Sequence, residues 1–198
     1  MASIETSIIK KLSRIMEGEL FFASDFADIG SSGAVRISLH RLEKKRVIRR
    51  VAQGIYVRPK ISEYIGEVLP SINEIAIAIA KRDRAKYIPT GAYALNAIGL
   101  STQVPMKMVF LTDGSPRTIK IGKGSITFIK TTPKNLQTKG KISTLVIQAL
   151  KEIGHERLTE EEEKKILEVL KVEKVQHLRH DIKLAPVWIR EIMKKALQ

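Results

Sequence analysis

The chain has 198 residues, 43% hydrophobic and 28% charged, enough to build one large domain or two small ones around a buried core. Its 35 Lys and Arg outnumber 21 Asp and Glu, a net charge of +14 that favours polyanionic partners, nucleic acid first and an anionic membrane surface second. The absence of cysteine excludes disulfides, thiolate zinc sites and a cysteine nucleophile, and with no signal-peptide pattern in "MASIETSIIKK" and no apolar run near the ~18 residues that span a bilayer, the chain reads as cytoplasmic and without membrane contact.

Residues 3–17 are predicted to form a helix capped by Ser3, with Ile4, Ile8, Leu12, Ile15 and Met16 on one face. "GELFF" breaks it and leads into a short extended piece. Ser24 offers an N-cap for a short second helix, "DFADI", ended by Gly30. Ser31 and Ser32 cap a third helix running to about Lys45. Val35, Leu39 and Leu42 fall in one stripe of that helix and are predicted to pack inward. Gly33, Arg36, Ile37, His40, Arg41 and Lys44 lie opposite. "VIRRV" and "IYVRP" are predicted strands joined at "AQG", with Gly54 at the left-handed position.

"ISEYIGEVLP" reads as a connector. "SINEIAIAIAKRDR" is a helix with a Ser71–Glu74 capping box, and "TGAYALNAIGL" a shorter one. "MKMVFLTDG", "RTIKIGKG" and "SITFIKTTP" read as three strands between glycine turns. Residues 143–153, 159–171 and 186–197 read as helices, the second with a Thr159–Glu162 capping box. The fold class expected is α+β: a winged helix-turn-helix over residues 1–62, a linker over 63–70, and a separate α+β domain over 71–198 with a small, mainly antiparallel sheet and C-terminal helices.

Between Ser31 and Lys60, ten Lys, Arg and His stand against one acid, Glu43. This is where a winged helix meets DNA. Ser31 and Ser32, with the amides of the helix start, are assigned to phosphate. Arg36, His40 and Arg41 are placed to reach base edges, where arginine pairs bidentately with guanine, and Ile37 to touch a thymine methyl. Lys44, Lys45, Arg49, Arg50 and Arg58 are assigned to the backbone, and Gln53 and Gly54 to the adjacent minor groove. Tyr56 is assigned either to DNA or to packing beneath the hairpin. About six phosphate contacts give log K against log salt a slope near −5.

"LFFASDFADIGSSGAVRISLHRLEKKRVIRRVAQGIYVRP" resembles the winged-helix N-terminal domain of AbiEi-type antitoxins. The likeness lies in Asp25-Phe26, the basic residues from Arg36 to Arg41, Ile48-Arg49-Arg50, and Gly54-Ile55-Tyr56 before Pro59. "TGAYALNAIGL" and "HDIKLAPVWIREI" resemble, less specifically, the second domain of a related branch. The resemblance implies an autorepressor that binds double-stranded DNA at inverted repeats in its own promoter. It also implies the antitoxin of a type IV toxin–antitoxin (abortive infection) system, acting against a nucleotidyltransferase-like toxin with or without direct contact.

Other readings stay open at this point. One is a winged-helix regulator that is not an antitoxin. Another is an interaction module, in which a second basic patch of Lys107, Arg117, Lys120, Lys123 and Lys130 docks RNA, more DNA or an acidic protein. The enzyme reading is weaker. His177, His180 and Asp181 are neighbours without an evident third metal ligand, and Asp181 to Lys183 only faintly resembles a nuclease motif. "GKG" at Gly122–Gly124 lacks the Walker spacing, and Ser115 has no partner that would activate it. Trp188 reads as core. The expectation is no enzyme, no catalytic residue, no cofactor and no metal.

Overall fold

Ser3 caps the first helix as its position predicts: its hydroxyl accepts from the Thr6 amide at 3.1 Å, and α1 spans Ile4–Leu12. The computed structural model describes residues 3–198. The helix stops earlier than the apolar spacing suggests. Ser13 turns its hydroxyl back onto the Lys10 carbonyl (2.8 Å), and Glu19 takes the Met16 amide (3.0 Å), so local side-chain bonds replace further helical ones. The strand β1 follows at Leu20–Phe22, then a single 3-10 turn at Ala23–Phe26. Asp25, not Ser24, closes that turn by accepting from the Phe22 amide at 2.7 Å. Phe26 is fully buried and meets Phe21 edge-on at 5.7 Å. The Asp-Phe pair is thus a cap followed by a core anchor.

Helix α2 spans Ser32–Lys44 with Ser31 as its cap. Val35, Leu39 and Leu42 are buried as predicted, each contributing about 1.5–3 kcal/mol. They join Ile8, Leu12, Phe21, Phe26, Ile48 and Tyr56 in one core. Strands β2 (Arg49–Ala52) and β3 (Ile55–Val57) form the predicted hairpin, and β1 pairs antiparallel with the far side of β3, giving the order β1-β3-β2. A second antiparallel hairpin, β4 (Lys60–Ser62) with β5 (Gly66–Val68), joins the end of the predicted first domain to the stretch read as a linker. Its strands are three residues each, too short for alternation to stand out in the sequence.

The chain divides into two compact units. One holds the residues up to Ile79 with Ile119–Gly122, and the other Ala80–Thr118 with Lys123–Gln198. The division falls within α3 (Ile72–Arg82), which opens with the predicted Ser71–Glu74 capping box. After it come β6 (Tyr87–Thr90), α4 (Ala92–Ala97), β7 (Lys107–Thr112), β8 (Arg117–Ile121) and β9 (Gly124–Lys130), in the sheet order β6-β7-β9-β8. β6 pairs antiparallel with β7, whereas β7 and β9 run parallel, a pairing the predicted hairpin pattern did not contain. The class is α+β with small, mostly antiparallel sheets.

Helices α5 (Lys141–Ile153), α6 (Glu160–Leu170), α7 (Val175–Ile182) and α8 (Val187–Lys195) close the second unit. Val146, Leu150, Ile166, Leu170, Ile189 and Met193 form its centre, with Trp188 packed against it. Among the described residues no helix is long and apolar enough to cross a membrane.

Candidate nucleic-acid interface

Helix α2 turns its buried stripe to the core and leaves Arg36, Ile37, His40, Arg41 and Lys44 exposed on the other side, Ile37 at 55%. Beside that face runs the β2–β3 hairpin. Its register slips between Arg50 and Ala52, leaving Val51 as one extra residue. The bulge lets Arg50 stay exposed while Ala52, two residues on, is buried. Gly54 turns the hairpin at φ +71°, a conformation that favours glycine, and its carbonyl accepts from the Ala23 amide at 3.0 Å.

The helix and hairpin together wall a groove of about 740 Å³. Arg36, Ile37, His40, Arg41 and Lys44 line one side, and Arg50, Gln53, Gly54 and Tyr56 the other. All nine come from the residues singled out in the sequence. Ala23 and Glu43 also line it and were not among them. Tyr56 lines the groove as a member of the core cluster. It is 4% exposed and stacked on Phe21 at 5.8 Å, so its ring belongs to the core. Burial pushes its phenol up from the usual value, while the nearby Arg50 pulls it down.

Three cations assigned to DNA also have protein partners. Lys45 bonds Glu5 at 2.6 Å. Arg49 directs both its Nε (3.0 Å) and Nη2 (2.8 Å) onto one oxygen of Glu67. Arg58 donates to the Ile15 carbonyl at 2.9 Å and lies 3.6 Å from Glu17. The Ser31 hydroxyl is engaged as the helix cap, accepting from Ala34 at 3.4 Å, while Ser32 begins the helix on the exposed side. The cations lining the groove are therefore Arg36, Arg41, Lys44 and Arg50, with His40 as a fifth basic side chain.

The end of α2 carries a feature invisible to periodicity. The Val47 amide bonds the Leu42 carbonyl (3.0 Å) and the Arg46 amide the Glu43 carbonyl (2.9 Å). This is a Schellman ending, and it places Arg46 at φ +58°, where glycine is favoured. Arg46→Gly should raise stability by about 1 kcal/mol, because relief of the left-handed strain exceeds the added freedom of the unfolded chain. Chemical denaturation reads that change; a lower midpoint would contradict it.

In the second basic patch Lys107, Lys120, Lys123 and Lys130 are exposed and Arg117 is half-buried. Arg117 lies over the Phe128 ring at 5.4 Å and is ion-paired with Asp83. Burial pushes the Asp83 carboxyl up, but Arg117 and Arg82 outweigh it and hold it below its usual value. Phe128 is on the buried side of β9, whereas Lys107 is exposed at the start of β7, where burial alternates residue by residue. Lys130 ends β9 opposite Thr112, Lys120 is exposed on β8, and Lys123 occupies the β8–β9 turn.

Asp181 has a structural task. It is fully buried and accepts from the amides of Lys139 and Gly140, both at 2.9 Å, and from the Ser143 hydroxyl. Glu173 accepts from Ile142 at 2.8 Å and Ser143 at 3.2 Å. Two carboxylates thus satisfy the start of α5, whose cap, Gly140, has no side chain to do so. A Cβ on Gly140 would collide with Glu173 and Ser143. Among the described residues no group of three or more His, Asp and Glu is placed to hold a metal ion.

Residues 7–178 match the family of unknown function DUF6088. The chain belongs to that family. The match takes in every groove-lining residue and stops short of Asp181. No curated protein matches the chain.

Proposed function

We propose that this DUF6088 protein is a sequence-specific DNA-binding transcriptional repressor whose N-terminal unit is a winged helix-turn-helix. In this reading α2 is the recognition helix and the β2–β3 hairpin the wing. One observation carries it: the groove between them is lined by four cations and an exposed isoleucine, and Arg36, Arg41 and Lys44 have no acidic partner among the described residues. Arginine forks suit guanine O6 and N7, Ile37 suits a thymine methyl, and Lys44 and Arg50 suit flanking phosphates.

The wider role of antitoxin in a type IV system draws on the residue-pattern resemblance described above. There the chain would repress its own promoter in the cytoplasm and oppose a nucleotidyltransferase-like toxin, without being an enzyme itself. Co-expression with the product of the neighbouring gene tests that part: restored growth supports it, and an innocuous neighbour removes it.

Fluorescence anisotropy against the chain's own upstream duplex and a scrambled duplex tests the DNA reading. The native duplex should win by about 10³-fold at ~150 mM salt. Of the groove cations, Lys44 and Arg50 are assigned to phosphate, which predicts a slope of log K against log salt near −1.8, shallower than the −5 expected from about six phosphate contacts. Equal affinity for both duplexes would overturn the repressor reading.

A further inference from the structure

Among the described residues Glu43 is the only carboxylate lining the groove, and three features make it costly there. It faces a site of positive charge where its own charge repels phosphate. It sits in the last turn of α2, where a negative charge opposes the helix dipole. Its side chain is only 29% exposed, yet its carboxylate accepts no hydrogen bond among the described residues. The His40 Nδ1 atom is 3.8 Å away, beyond hydrogen-bond range. A carboxylate that lines the groove and takes no hydrogen bond from the described residues is open to a donor on the ligand.

Within the DNA-binding reading, on which this rests, we infer that Glu43 is a specificity-determining residue that accepts from the N4 amine of a cytosine in the major groove. Two donors are presented there, cytosine N4 and adenine N6. Adenine sets its N7 acceptor beside N6, and that lone pair faces a carboxylate unfavourably. Cytosine presents N4 with no acceptor alongside. The guanine paired to it offers O6 and N7, the acceptors that Arg36 and Arg41 are suited to fork. The groove therefore reads G·C pairs from both strands: arginine on the purine, Glu43 on the pyrimidine.

The test is selection from a randomised duplex pool, followed by anisotropy on the enriched sequence and its single-base variants. Wild-type protein, Glu43→Gln and Glu43→Ala are compared. Wild type should enrich a site in which one C·G pair is preferred by about 10-fold over each alternative at that position. Both variants should lose that preference at that position alone. Their affinity for random duplex should rise, since a charge that repels phosphate has gone. Circular dichroism melting of each variant controls for folding, because Glu43→Gln preserves shape. If wild type enriches a site and both variants keep every base preference, Glu43 does not read the base and the inference falls. If wild type enriches nothing, the DNA reading itself fails.

Discussion

Arg36→Ala combined with Arg41→Ala should lower affinity for the native upstream duplex by about 10³-fold, because each guanine fork is worth about 1–3 kcal/mol of discrimination. Both side chains are exposed and line the groove, so the fold keeps its core contacts. The salt slope should stay near −1.8, because Lys44 and Arg50, the groove cations assigned to phosphate, remain. The two readouts separate base recognition from simple attraction. A variant that loses affinity equally on native and scrambled duplexes has lost only charge. A variant that binds the native duplex as wild type does would remove α2 from the interface. Lys45→Ala is the internal comparison. Its ammonium is held by Glu5, so its loss should change affinity by less than about threefold.

Asp181→Ala should destabilise the second unit by about 3–4 kcal/mol. It removes a buried carboxylate that holds two amides and a hydroxyl, and each hydrogen bond to a charged group is worth about 1.5–3 kcal/mol before non-additivity is counted. Thermal unfolding should fall by roughly 10 °C. Asp181→Asn should lose less, since its carbonyl oxygen still accepts from one of the amides. DNA affinity, read at the same temperature well below unfolding, should stay within about twofold, because Asp181 lies outside the groove. Unchanged stability in Asp181→Ala, with a loss of magnesium-dependent DNA cleavage, would revive the nuclease reading.

Much of the N-terminal fold was legible because its determinants are local. Ser3 and Ser31 cap helices within three residues of themselves, the Val35–Leu39–Leu42 stripe fixes the inward side of α2, and Gly54 fixes its turn. The same periodicity placed the groove residues of α2 on one side. The short β4–β5 hairpin and β6 were missed, since three or four residues carry too little pattern to distinguish strand from connector.

The sequence by itself determined the α+β class, the caps and the basic side of α2, all set by propensity and spacing along a few consecutive residues. Only the tertiary structure decided which basic residues have partners within the protein. Glu5 lies 40 positions from Lys45, Glu67 lies 18 from Arg49, and the Ile15 carbonyl lies 43 from Arg58. Charge counting cannot see such pairs, because the Coulomb attraction between two side chains depends on their distance in space, which the folded chain alone sets. For the same reason Glu43, the one acid between Ser31 and Lys60, became a wall of the groove once the hairpin was folded beside it.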